Sequence, residues 1–354
     1  MNDARLHQVD VWRFIAIGLV LSSHLIAYSH PWYATVADGL VWRVEILGLV
    51  GVKIFFCISG FVICRGMVRE WESTGRLDMR AFYRRRMFRI LPPLFVFIGV
   101  VALLDAVGVF DLPPASFLRS ATFLCNVESL GSCTWPLAHT WSLAYEEQFY
   151  LLFPLLFSLF MLALHRRRIG VLCLALAIGC VITHFSGNRM INACFGYLLC
   201  MLAGCACALH WEPLQRLLRK LPIAIWGASL LTLFASGCVL VPGLVSEIAF
   251  PLGLPVLICI AVFGTPMHCP LIRALFCNRH LAHLGQISYG IYLWQQLATS
   301  NYGFASPIPA WGLVLAAIVF AHYSFVYFEM PLIRRGAAKP PTVSKPGLVL
   351  QGPA

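Results

Sequence analysis

Charged residues are few in this chain. Only 12% of its 354 residues are Asp, Glu, Lys or Arg, 15 of them acidic, against 60% hydrophobic. So little polar material cannot clothe a soluble domain of this length, which excludes one and leaves an integral membrane protein. Metal-ligand spacing is missing too. No Cys-x-x-Cys and no His-x-x-x-His occurs among the 14 cysteines and 11 histidines, so no metal centre is expected. A cleavable leader is not expected either. Arg13 interrupts the first apolar stretch, Val9 to Tyr28, and no small-x-small site follows, so that stretch is expected to stay as a membrane helix.

Most cysteines lie within apolar runs, among them Cys57, Cys200, Cys205, Cys207 and Cys259, where Cys is a small buried hydrophobe. Cys125 and Cys133 alone share a polar loop. A disulfide and two free thiols both fit there, the disulfide only if the loop faces an oxidising compartment.

Apolar runs of spanning length predict an all-α polytopic membrane protein of about ten helices, near 9–29, 44–65, 88–108, 141–163, 170–186, 190–210, 222–241, 246–264, 283–300 and 310–332. They form one membrane domain over 1–335, followed by a short tail, 336–354, expected to be disordered and cytoplasmic. The net charge of +11 might suggest nucleic acid, but its distribution argues against that partner. Of the 26 Lys and Arg residues, 21 fall on one side of these spans, three on the other and two within them. That bias places both termini in the cytoplasm and the Cys125/Cys133 loop outside.

The two interior cations are Arg13 and Lys53, and ionisable side chains at such depth are functional-site candidates. Arg13 and His24 are eleven residues apart, which returns to within roughly 20° of one helix face about 16 Å further along. Such a face can hold an anion at one end and do proton chemistry at the other. Lys53 needs an anionic partner or a wet cavity, and Glu146, Glu147 and Glu329 are the available carboxylates. Beside it, Ser59-Gly60 reads as close helix packing. Arg86 and Arg89 share a face if their stretch is helical, and suit either bidentate phosphate binding or a positive-inside anchor on lipid headgroups. In Trp141-Ser-Leu-Ala-Tyr-Glu-Glu-Gln-Phe-Tyr150, Ser142, Glu146 and Tyr150 also share a face. Glu146 is expected near the depth of His24, either orienting its imidazole as a general base requires or merely capping an interfacial helix start. Tyr292 lies in a segment of small and aromatic residues suited to packing or to a cavity wall. Glu329 is read most simply as an ion-pair partner of Arg13.

These residues resemble the membrane-bound acyltransferase 3 family. The resemblance rests on Arg13 with ten residues to His24; Gly51-Val-x-x-Phe-Phe-x-x-Ser-Gly-Phe61; Tyr83 through Arg86-x-x-Arg89-Ile-x-Pro92; Trp141-Ser-Leu-x-x-Glu-Glu-Gln-Phe-Tyr150; Gly285-x-Ile-Ser-Tyr289 with Tyr292-Leu-Trp294; and Phe328-Glu-x-Pro331, in that order. It implies O-acylation of a cell-surface or exported glycan from acyl-CoA, acetyl-CoA above all, in a bacterial inner membrane. Acyl-CoA would be a co-substrate and no cofactor is implied as permanently bound; the partners are the glycan or oligosaccharide acceptor, acyl-CoA and membrane lipids. It carries catalysis to Arg13, His24 and Glu146, with His24 as general base, and donor phosphates to Arg86 and Arg89. Lys53, Ser59, Ser142, Glu147, Tyr150, Tyr292 and Glu329 are then candidates for the cavity lining. Direct transfer and transient acylation of His24 both remain open. Two positions depart from the pattern: Lys53, where an acidic or neutral residue is frequent, and Gln295, where His is frequent; both are expected to bear on acceptor choice. A fused outer hydrolase-like domain is not expected. The rival class is a secondary transporter or flippase for a glycan or lipid-linked sugar.

Overall fold

The computed structural model describes residues 3–28, 38–163, 189–238, 250–299 and 310–337. The expected helix at 170–186 and nearly all of the tail lie outside these. Every regular element among the described residues is helical. Among the described residues three stretches are long and apolar enough to cross a membrane, 46–74, 79–106 and 311–336, or four if the bent pair 196–209 and 211–218 is one span.

Helix α1 (Asp3–Tyr28) carries both Arg13 and His24, as their spacing requires. Helix α2 (Asp38–Thr74) runs past its apolar stretch at both ends. Helix α3 (Met79–Ala106) starts nine residues before the predicted span because Asp78 caps it, its carboxylate accepting from the Ala81 amide at 2.9 Å. Arg86 and Arg89 therefore do lie on a helix.

The bundle is organised around α2, which packs along α1 on one side and α7 (Arg189–Leu209) on the other. With lipid as solvent no hydrophobic force pulls helices together, so close backbone approach must do so through van der Waals contact. Gly60 lies against the Met201 carbonyl and Gly204 against that of Cys57; a side chain at either would collide with backbone. The packing role expected at Gly60 is thus seen. Cys57 and Cys259 lie Sγ to Sγ at 3.6 Å, and Cys205 Sγ donates to the Gly60 carbonyl, as packed apolar thiols do.

Beyond α3 a short helix α4 (Pro114–Ala121), a single 3₁₀ turn at 128–130 and a four-residue helix α5 (Trp135–Ala138) form a compact loop that leads into α6 (Thr140–Ala163). Cys125 and Cys133 are disulfide-bonded in it. Gln148 of α6 holds it from beneath, donating to the carbonyl of Phe123, a residue with φ of 57°.

After α7 the chain turns by 93° into α8 (Trp211–Leu218), then forms the apolar helices α9 (Ile223–Cys238) and α10 (Phe250–Phe263) and the short α11 (Pro270–Phe276). The span predicted at 283–300 is instead two helices, α12 (Arg279–Gln286) and α13 (Ser288–Ala298), joined at Ile287. Asn278 starts α12 by accepting from the His280 and Leu281 amides, and Gly285 lets it sit directly on the Asp10 carbonyl of α1. The last span is α14 (Ala310–Ser324), a π-helical turn over Phe325–Glu329, and α15 (Met330–Gly336). The wide turn precedes Pro331 and brings the Glu329 side chain inside, 4% exposed.

Candidate active site

Arg13 and His24 open onto two cavities that share a wall made of Val52 from α2 and Tyr292 from α13. The His24 cavity is about 230 Å³, and Trp135, His139, Trp141 and Gln296 also line it. The Arg13 cavity is about 70 Å³ and is lined too by Ser59, Ser142, Glu146 and Ser288. The structure thus brings Arg13, Ser59, Ser142, Glu146 and Tyr292 together, with His24 across Tyr292 from the rest.

On the His24 side, Nδ1 of the imidazole lies 2.9 Å from Gln295 Oε1. Gln295 Nε2 donates to Gln296 Oε1 at 3.2 Å, and Gln296 Nε2 donates to the Trp135 carbonyl at 2.8 Å. Both glutamines are buried, 0% and 1% exposed. The Trp135 ring meets His24 edge-on at 5.5 Å. His139 is 3% exposed, edge-on to Phe97 and tilted against Tyr292, and neither of its ring nitrogens has a hydrogen-bond partner. A buried polar group in that state asks for a ligand or a water.

On the Arg13 side, Ser59 donates to Glu146 Oε1 at 2.7 Å. The Tyr292 hydroxyl lies 2.6 Å from Ser142 Oγ and donates to the His139 carbonyl at 2.8 Å, tying α13 to the start of α6. Arg13 and Arg86 lie within electrostatic range of Glu146, and Arg89 within range of Arg13, Arg86 and Asp10. Arg86 stacks on the Tyr150 ring, its guanidinium carbon 4.5 Å from the centroid. Among the described residues the one ion pair within 4 Å is Arg85–Glu70, at 3.5 Å, both residues half-buried. Arg13 and Arg86 thus lie within electrostatic range of Arg89, and among the described residues none of the three has a carboxylate oxygen within 4 Å.

Several expectations need correction. Glu146 does not orient His24: its carboxylate is held by Ser59 on the Arg13 cavity, and the imidazole meets Gln295 instead. The reason is depth. His24 shares its cavity with His139, which precedes the start of α6, whereas Glu146 lies almost two turns further into that helix. Lys53 meets none of Glu146, Glu147 or Glu329; its ammonium lies 5.9 Å over the Tyr197 ring. Glu329 does not pair with Arg13 but accepts from Ser324 at 3.2 Å, with Arg89 as the nearest cationic influence. Glu147 is half-buried, its Oε1 buried and unpartnered, and lines neither cavity. The departure at Gln295 falls on the imidazole. His139 and Gln296 were missed by sequence reasoning, although His139 stands two residues before a recognised motif, on an apolar flank, which is the signal that marked His24.

A helical membrane protein whose half-buried imidazole and guanidinium face two adjoining cavities has the architecture of a membrane-embedded group-transfer enzyme. The family model of the acyltransferase domain matches residues 6–328, and the chain belongs to that family. Among its relatives, peptidoglycan O-acetyltransferase OatA of Listeria monocytogenes is 28% identical, the match covering 93% of this chain and 56% of OatA. YrhL of Bacillus subtilis, provisionally named a peptidoglycan O-acetyltransferase, is 30% identical over 82% of this chain and 51% of its own. A provisionally named O-acetyltransferase of Staphylococcus aureus is 26% identical over 82% and 53%. The chain spans about half the length of these curated relatives. No solved structure matches it.

Proposed function

We propose that this protein is a membrane O-acetyltransferase that moves an acetyl group from acetyl-CoA to a hydroxyl of a cell-envelope glycan, with peptidoglycan the first acceptor to test. The names of the relatives support the acceptor. The observation that carries the chemistry is the pair of cavities walled by Val52 and Tyr292, with Arg13 on one and His24 on the other. In this reading the domain over 1–335 crosses the inner membrane ten times with both termini cytoplasmic.

Acetyl-CoA comes from the cytoplasm with its phosphates at Arg86 and Arg89, and its thioester passes Arg13 toward His24. Trp135 and Trp141 offer apolar faces on which a sugar ring can lie in the larger cavity. His24 takes the proton of the acceptor hydroxyl; the oxygen attacks the thioester carbonyl carbon, the C–S bond breaks, and the leaving sulfur receives that proton from His24. General-base assistance of this kind is typically worth about 10²–10⁴ in rate. His139, on the same cavity, is placed to donate to the carbonyl oxygen as negative charge gathers there.

The test uses membranes containing the full chain, ¹⁴C-acetyl-CoA and purified peptidoglycan. Base-labile label in the glycan is expected, and its loss in His24→Ala at equal expression. Incorporation unchanged by His24→Ala removes the base. Movement of glycan across the membrane without incorporation of label replaces the enzyme with a carrier.

A further inference from the structure

A general base must present a lone pair, and histidine has two tautomers that place it on different nitrogens. The hydrogen-bond chain at His24 selects between them. It ends on the backbone carbonyl of Trp135, which can only accept. Gln296 must therefore turn its Nε2 toward Trp135, at 2.8 Å, which leaves Gln296 Oε1 facing Gln295. Gln295 then turns Nε2 to that oxygen, at 3.2 Å, and its own Oε1 to His24. An oxygen facing His24 Nδ1 at 2.9 Å requires a proton on Nδ1. Reversing the Gln295 amide would force that of Gln296 to reverse as well. Two oxygens, Gln296 Oε1 and the Trp135 carbonyl, would then meet with no proton between them.

We infer that Gln295, held by Gln296, is a positioning residue that keeps His24 in the tautomer protonated on Nδ1, so that the lone pair lies on Nε2. The inference rests on the reading of His24 as the base. A carboxylate could do the same for the tautomer, but it would be a buried charge among apolar side chains; a fully buried amide does it without one. Each amide spends its donor and its acceptor along the same chain, so neither can swing away without leaving a buried polar atom unpaired.

Two measurements test this on the full-length protein in nanodiscs. In ¹⁵N-histidine-labelled wild type, the His24 signals, identified by their loss in His24→Ala, should show the neutral ring protonated at Nδ1. A proton on Nε2 overturns the inference whatever any variant does. In kinetics with acetyl-CoA and peptidoglycan, Gln295→Leu keeps the volume but removes the acceptor. It should lower kcat about 10²-fold with KM for acetyl-CoA unchanged, while Gln295→Glu, which keeps an oxygen toward His24, should recover part of that loss. A purely packing role ranks them the other way, since leucine suits a buried apolar site better than a carboxylate. Wild-type kcat in Gln295→Leu, or Gln295→Glu no better than Gln295→Leu, overturns the inference. His24→Ala separates the two levels. Should it leave transfer intact, the base reading falls; should it abolish transfer while wild-type His24 carries its proton on Nε2, the tautomer inference alone falls.

Discussion

Ser59 donates to Glu146 at 2.7 Å, and this bond places the carboxylate beside Arg13 and away from His24. The two ends of the site are thereby divided. One has an imidazole against a neutral amide; the other has a carboxylate within electrostatic range of guanidinium groups.

That division predicts separable kinetics. If His24 is the base, Glu146→Gln should leave the pH dependence of kcat as in wild type, because the group it alters does not touch that imidazole. Its effect is expected on acetyl-CoA, as a several-fold rise in KM. Ser59→Ala and Glu146→Gln together should be non-additive, with a coupling of about 0.5–3 kcal/mol in kcat/KM, since the two side chains share one hydrogen bond. Additive losses would disconnect them.

His139 should matter through the transition state. Its imidazole has no hydrogen-bond partner and lines the cavity that holds His24. His139→Ala is expected to lower kcat about 10–10²-fold with little change in KM for acetyl-CoA, and His139→Gln, which keeps a donor, to retain more activity. Steady-state rates with donor and acceptor varied in turn give both parameters.

Arg86 and Arg89 carry the donor-side expectation. Changing both to Ala should weaken acetyl-CoA binding at least about tenfold, given about 1.5–3 kcal/mol for a hydrogen bond to a charged group. Equilibrium binding of labelled acetyl-CoA to purified protein measures it. Unchanged affinity, with reduced preference for anionic vesicles, would leave these residues as a lipid anchor only.

Packing gives a prediction independent of chemistry. Gly60→Ala pushes a methyl group into the Met201 carbonyl and is expected to destabilise the protein by about 1–3 kcal/mol. In the same helix a methyl group added at Gly66 would meet nothing within 4 Å, so Gly66→Ala should leave stability unchanged or slightly raised. Thermal unfolding midpoints in one detergent compare the pair.

How much of the site is legible in the sequence depends on the kind of signal. A spacing of eleven positions from Arg13 to His24 suffices to put them on one face of one helix, because helical period is a local property. The share of a face by Ser142 and Glu146 follows in the same way, and both line the Arg13 cavity. Depth is harder. The sequence suggests Glu146 level with His24, but α5 and the turn at His139 set the start of α6, and nothing in the periodicity records that offset. The break at Ile287 lies inside a stretch whose overall hydropathy reads as one span; Gly285 against Asp10, a tertiary contact, fixes where the first piece sits. Charge alone points Lys53 to carboxylate partners, whereas its helix face turns it toward Tyr197. Gln295 stands out in sequence as a departure, yet its amide acquires meaning only beside His24 and Gln296.

The glycine contacts between α2 and α7 bear on how a substrate gets in. Where Gly60 and Gly204 bring main chain against main chain, the seam has no side chains to rearrange and so nothing to yield. α2 must then serve as a fixed post carrying Val52 and Ser59. Any widening of the two cavities then falls to α13, whose Tyr292 hydroxyl is latched to Ser142 and the His139 carbonyl, two bonds that a rotating side chain can release and remake.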